Sequence, residues 1–146
     1  MDNRDDLFND LYKNVRMASY AIDCIYPAIE DSNLQELIDK QNTIYLDYTN
    51  RLENIAHALN IEISDINPFL KASSFTSIKM NTMINKDTKH LCSMLIEGTS
   101  MGVITTITAI SDYPDTPQDL YDIAIEIKES EESFIESLKD IIMQCK

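Results

Sequence analysis

The sequence predicts an all-α protein, namely an antiparallel four-helix bundle of the ferritin-like kind with an additional shorter helix in its long connection. Only 2 Gly and 4 Pro occur in 146 residues, which is too few for the many turns of a β protein. Apolar residues recur at spacings of three and four over long segments, which indicates amphipathic helices. Two short links and one long link between the long helices match ferritin-like connectivity.

The bulk composition indicates one domain over residues 1–146, long enough to bury a core. A formal net charge of −13 makes binding to nucleic acid or to an anionic membrane unfavourable. The N-terminus shows no targeting signal, so we expect a cytoplasmic protein. The most apolar stretch, residues 91–110, contains Glu97 and several Thr and Ser, and we interpret it as a buried helix rather than a membrane span.

The first two predicted helices cover residues 5–30 and 33–59. Pro27 should kink the first helix or end it early, because proline lacks a backbone donor. Ser32 followed by Gln35 is a capping-box pattern at the start of the second helix. The short link between the two helices predicts that they lie antiparallel.

The remaining helices follow a linker at residues 60–65 and are predicted at 68–84, 87–112 and from Pro117 to about residue 143. The third helix has only a weak apolar stripe, through Phe69, Ala72, Ile78 and Met83. The fourth is apolar around most of its circumference, which favours a central position. Thr116 before Pro117 is typical of a helix N-cap.

Two polar residues interrupt apolar stripes and are the most informative feature of the sequence. Gln41 lies mid-stripe in the second helix and Glu131 mid-stripe in the fifth. Neither can face water without exposing its apolar neighbours. We therefore expect Glu131 to be partly buried and hydrogen-bonded to Tyr45, Tyr48 or Gln41.

Two interpretations of this set stay open. The first is a structural polar layer of Gln41, Tyr45, Tyr48 and Glu131 that fixes the packing register. The second is a degenerate metal or small-ligand site at mid-bundle, since buried carboxylates with raised pKa mark candidate sites. The metal candidates are then Glu131, Gln41, Tyr45 and Glu97, with a divalent or iron-type metal as cofactor.

Motifs for catalysis are not evident. The only histidines are His57 and His90, and neither has a Glu three positions before it, so the Glu-x-x-His pairs of ferritin-like di-iron sites are missing. Phosphate-binding loops and hydrolase motifs are missing too. The three cysteines form no CxxC pair, which favours reduced thiols. Gly98 and Gly102 indicate either close helix approach or a ligand gap.

One stretch carries a family resemblance. It reads Lys79-Met80-Asn81-Thr82, then Asp87-Thr88-Lys89-His90, then Met94-Leu95-Ile96-Glu97-Gly98-Thr99-Ser100-Met101-Gly102. The stretch resembles a group of uncharacterised small proteins of clostridia-type Firmicutes, and the first, second and fifth helices are similar in pattern. The resemblance implies a ferritin-like architecture in a bacterial protein and assigns no catalytic residue.

These observations predict a non-enzymatic, cytoplasmic bundle that self-associates as a homodimer and acts as an interaction or structural protein, without cofactor. Seven Tyr and the apolar excess of the fourth helix motivate the dimer. The alternative is a divergent ferritin-like metal-binding protein that uses the mid-bundle carboxylate.

Overall fold

The computed structural model describes residues 3–145, and no β-strand occurs in that range. Its regular structure consists of α-helices and one 3-10 turn, Tyr26–Ala28, so the all-α prediction is confirmed. The helices are α1 (Asn3–Ile25), α2 (Ser32–Leu59), α3 (Pro68–Ile84), α4 (Thr88–Asp112) and α5 (Gln118–Gln144).

The core is built from the apolar stripes of α1, α2, α4 and α5. Side-chain contacts set the helix directions. Gln41 reaches Ser130 while Arg51, further along α2, reaches Glu126, so α2 and α5 are antiparallel. Helices α1 and α4 are antiparallel as well. Asn14 contacts Gly102 in the middle of α4, whereas Asp10, which precedes Asn14 on α1, interacts electrostatically with Asp112 at the end of α4.

The helix starts and stops follow local chemistry, with one correction at the start of α2. Helix α1 ends at Ile25, where Pro27 directs the chain into the 3-10 turn, as predicted. The cap of α2 is Asp31 rather than Ser32, because the Asp31 carboxylate accepts a 2.9 Å hydrogen bond from the Leu34 N–H. Gln35 donates to the Ile29 carbonyl instead of completing a capping box.

A second correction concerns the start of α5. Its N-cap residue is Pro117, and no side chain caps the helix. The Thr116 hydroxyl instead donates to the Tyr113 carbonyl and so holds the preceding turn. The Thr116 hydroxyl could bond either to a backbone N–H of α5 or to the preceding turn. The path of the backbone after Tyr113 places it beside the turn.

The central position expected for α4 is wrong. Its inner face, including Leu91, Leu95 and Thr106, is buried, but Met101, Ile104 and Ile107 are exposed. Within residues 3–145, α4 alone is long and apolar enough to cross a membrane by length and composition, and 33% of its most apolar window is buried. The apolar excess of α4 therefore lies at the surface of this chain.

The inward stripe expected for α3 is also wrong. Phe69 and Met83 are 81% and 84% exposed, and Thr82 is the one buried residue within α3. The helix packs chiefly along α1, where the Lys71 ammonium lies 4.8 Å from the centre of the Tyr20 ring. Apolar side chains surround α3 on several sides, so no single neighbour can cover them all.

Candidate functional site

The candidate site centres on Glu131, in the buried stripe of α5. Its neighbours on that stripe are apolar and share one face of the helix with it. A helix that buries these neighbours must therefore bury position 131 as well. The structure leaves Glu131 0% exposed. The buried stripe consists of Leu120, Ile123, Ala124, Ile127, Glu131, Phe134 and Leu138.

Two hydrogen bonds satisfy the Glu131 carboxyl group. The Tyr45 hydroxyl on α2 donates to Oε2 at 3.0 Å, and Asn14 Nδ2 on α1 donates to Oε1 at 3.1 Å. Asn14 Nδ2 also lies 3.2 Å from Thr106 Oγ1 and 3.4 Å from the Gly102 carbonyl, both on α4. The carboxyl thus ties α5 to α2 directly, and to α4 through α1.

Burial controls the protonation of this cluster. Removal from water raises the pKa of Glu131 to about 7, although the hydrogen bonds from Asn14 and Tyr45 partly oppose the shift. The pKa of Tyr45 is well above its ordinary value, first because of burial and then because of the neighbouring carboxyl. The cluster can therefore hold one exchangeable proton near neutral pH, and that proton belongs to Glu131.

Gly102 makes room for the cluster. A Cβ atom at this position would lie 2.7 Å from Asn14 Oδ1 and 2.7 Å from Glu131 Oε2, which is closer than real Cβ contacts. At Gly98, one turn earlier, an added Cβ would meet nothing within 4 Å. Gly102 therefore lets polar side chains of two neighbouring helices pack against its backbone. Gly98, the other glycine named in the sequence analysis, borders open space.

Glu131 is buried more completely than the partial burial expected, and of its three expected partners Tyr45 is the one that bonds to it. Gln41 is buried on the same stripe as Tyr45 and donates to Ser130 Oγ at 3.4 Å. Tyr48 is buried as well, but its ring lies under the Arg51 guanidinium, 5.4 Å from the centroid. The fourth metal candidate, Glu97, is exposed, and no hydrogen bond or ion pair within residues 3–145 links it to the others.

Asn14 was missed by the sequence analysis, although a signal for it exists. It lies three residues after Leu11 and four before Ala18, both of which lie on the apolar stripe of α1. Val15 takes the stripe position between them, so Asn14 lies beside the stripe, whereas Gln41 and Glu131 lie within theirs. Asn14 sits at the stripe's edge and is only partly buried, which makes it less conspicuous.

An apolar cleft adjoins the cluster. It has a volume of about 600 Å³ and lies between α1, α3 and α4. Asn14, Tyr45 and Gly102 line it, together with apolar side chains such as Met17, Leu70, Leu95 and Phe134. Concave, mostly apolar spaces with a few polar groups are typical of small-molecule sites.

The metal alternative lacks a donor set in the described part of the chain. No group of three or more His, Cys, Asp or Glu side chains converges within residues 3–145. Among the described residues, the hydrogen-bond partners of Glu131 are a neutral amide and a neutral hydroxyl, and these contacts do not place a nucleophile beside a base. The arrangement can hold a proton, accept hydrogen bonds and fix the relative positions of four helices.

Together the fold and the site define an all-helical protein with a polar core layer beside a cleft. No protein-family model, curated protein or solved structure matches the chain. The resemblance to clostridial proteins thus stays a prediction from the sequence.

Proposed function

We propose that this chain is a non-enzymatic interaction protein of the cytoplasm that forms a homodimer through the exposed apolar side chains of α3 and α4. We further propose that its architecture is a ferritin-like four-helix bundle made of α1, α2, α4 and α5. Both the antiparallel pairs, α1 with α4 and α2 with α5, and the long connection that contains α3 support this architecture.

The observation that carries the proposal is where the exposed apolar side chains lie. Nine of the fourteen large apolar side chains exposed within residues 3–145 belong to α3 or α4. Large exposed apolar surfaces are rare on soluble monomers and mark interaction sites. We call these nine residues the α3–α4 surface: Phe69, Leu70, Phe75, Met80, Met83, Ile84, Met101, Ile104 and Ile107.

Charge favours a second copy of this chain as the occupant. From the start of α3 to the end of α4, residues 68–112 carry four lysines against the three carboxylates of Asp87, Glu97 and Asp112, a net charge of +1, whereas the whole chain carries −13. Two copies must repel each other wherever their acidic surfaces meet. The α3–α4 surface is therefore where two copies can approach with the least repulsion between acidic groups.

The buried polar layer supports a structural role for the cluster. Glu131, Asn14 and Tyr45 come from three helices, and any slip in register would leave at least one of them buried without a partner. Such a layer penalises mispacked alternatives. It would therefore hold the bundle in the one arrangement that presents the α3–α4 surface.

Sedimentation equilibrium tests the proposal. The wild-type chain should sediment as a dimer, and Ile107→Asp should sediment as a monomer because it puts a charge on the contact surface. Leu46→Asp on α2 is the matched control, since Leu46 and Ile107 are 49% and 46% exposed. The control should stay dimeric. A wild-type monomer at high concentration, or equal dissociation of both variants, would contradict the proposal.

A further inference from the structure

The cleft between α1, α3 and α4 contains a hydroxyl group that has no partner among residues 3–145. Thr99, on the α4 wall, is only 8% exposed, and its side chain makes no hydrogen bond in that range. Threonines in helices commonly bond the carbonyl four residues earlier. On the same helix Thr105 and Thr106 do so, to Met101 and Gly102. A ligand that bonds the Thr99 hydroxyl would satisfy a group that neither its own helix nor a neighbouring side chain satisfies.

The walls around Thr99 are suited to a hydrocarbon chain. Most of the side chains that line the cleft are apolar, and its volume of about 600 Å³ is typical of small-molecule sites. The cleft reaches the core, because Tyr45 and Phe134, which are 1% and 3% exposed, belong to its lining. Beside Thr99, an added Cβ at Gly98 would meet nothing within 4 Å, so the space there is open. The apolar part of a ligand would therefore be removed from water.

The charges on the cleft favour an uncharged ligand. Asp10 and Lys13 line it, but they are exposed and of opposite sign. The other lining side chains in the described part of the chain are uncharged, and Glu131 is 0% exposed and does not line the cleft. An ion that moves from water into apolar surroundings needs a countercharge there. The cleft offers neither a cation nor an anion such a partner at depth.

We propose that the cleft binds an uncharged aliphatic alcohol, with the Thr99 hydroxyl donating to the alcohol oxygen and the alkyl chain lying between α1, α3 and α4. One uncharged oxygen is enough to satisfy the Thr99 hydroxyl. Each methylene group of the chain that leaves water adds to the affinity. This binding is separate from self-association through the α3–α4 surface, because the cleft is formed within a single chain.

Isothermal titration calorimetry with octan-1-ol, octylammonium and octanoate at neutral pH tests this site. Octanol should bind saturably at one molecule per chain, and each ion should bind roughly tenfold more weakly, because nothing at depth matches its charge. Gly98→Phe should remove octanol binding, since the new ring would fill the cleft. Ser93→Phe, also on α4 but not part of the cleft lining, is the matched control and should bind as the wild type does.

Thr99→Val separates the hydrogen bond from the hydrocarbon contact, because valine has nearly the shape of threonine and lacks its hydroxyl. It should weaken octanol binding about fivefold, whereas Thr99→Ser, which keeps the hydroxyl, should stay within about twofold of the wild type. Thr108→Val, on the exposed face of α4 and outside the cleft lining, is the control and should leave the affinity unchanged.

Three results would overturn the proposal: unsaturable octanol binding, equal affinity for either ion, or wild-type affinity in Gly98→Phe or Thr99→Val. The outcome is independent of the sedimentation experiment. Ile107 does not line the cleft, so Ile107→Asp should bind octanol as the wild type does even where it removes the dimer.

Discussion

The Tyr45 hydroxyl on α2 donates a 3.0 Å hydrogen bond to Glu131 Oε2 on α5, and both side chains are almost completely buried. This contact joins two helices through residues that are 86 positions apart in sequence. It places an ionisable group in the core, and no charged side chain within residues 3–145 pairs with it. The stability of the fold should therefore depend on the protonation of one residue.

The first prediction concerns pH. The folded pKa of Glu131 is about 7 and its ordinary value is 4.5, so between these values the folded chain binds more protons than the unfolded chain. The contribution of Glu131 to stability must then fall as pH rises from 4.5 to 7, by on the order of 3 kcal/mol. Below pH 4.5 it is protonated in both states and contributes no pH dependence.

Urea denaturation of the wild type and of Glu131→Gln at pH 5 and pH 7.5 checks this prediction. The variant should lose the component of the pH dependence that comes from Glu131. The free energy of unfolding of the wild type should therefore fall relative to that of the variant between pH 5 and pH 7.5. Glu129→Gln, on the exposed face of the same helix, is the control and should follow the wild type. Parallel curves for wild type and Glu131→Gln would count against a raised pKa.

The second prediction concerns coupling between Tyr45 and Glu131. Tyr45→Phe removes one of the two donors to the buried carboxyl, and Glu131→Leu removes the acceptor of the buried hydroxyl. Each single variant should lose about 1–3 kcal/mol, because each leaves a buried group without its partner. The double variant should lose less than the sum of the two, since the partners are removed together.

A double-mutant cycle measured by denaturant unfolding gives the coupling directly. We expect a coupling of about 0.5–3 kcal/mol. Tyr48→Phe combined with Glu131→Leu is the comparison, because Tyr48 donates no hydrogen bond to Glu131 among the contacts of residues 3–145. That pair should be additive within about 0.5 kcal/mol. Additivity of the Tyr45 pair would mean that the contact does not link the helices energetically.

The third prediction contrasts the two glycines of α4. Gly102→Ala should destabilise the protein by roughly 1–3 kcal/mol, because its Cβ would press against Asn14 and Glu131 at 2.7 Å. Gly98→Ala should stabilise it by about 0.5–1 kcal/mol, because alanine favours the helix and nothing lies within 4 Å of the new Cβ. Thermal unfolding followed by circular dichroism measures both, and the same sign for both would refute the steric account.

The fourth prediction concerns the start of α2. Asp31→Ala should cost about 1 kcal/mol, since it removes the acceptor of the 2.9 Å hydrogen bond from the Leu34 N–H. Ser32→Ala should change the free energy of unfolding by less than about 0.5 kcal/mol, because Ser32 is exposed and does not cap the helix. Equal losses of unfolding free energy in the two variants would instead indicate that Ser32 also caps the helix.

The sequence by itself predicts the helices and the burial of Glu131, because both depend on local periodicity. Spacings of three and four place residues on one helix face whatever the rest of the chain does. Ile127 and Phe134 lie one turn to either side of Glu131, so a helix that buries them also buries the residue between them. Counting turns along two antiparallel helices then limited its expected partners to three residues, of which Tyr45 is one.

Tertiary structure alone decided which partners the carboxyl found on the other helices. Asn14 and Gly102 reach Glu131 only because α1 and α4 are brought beside α5 at a particular depth, which no local pattern encodes. The same holds for the exposure of α3 and α4. Their hydropathy indicates that the apolar side chains are more stable when they are buried against another surface. Whether that surface belongs to this chain depends on how the helices pack.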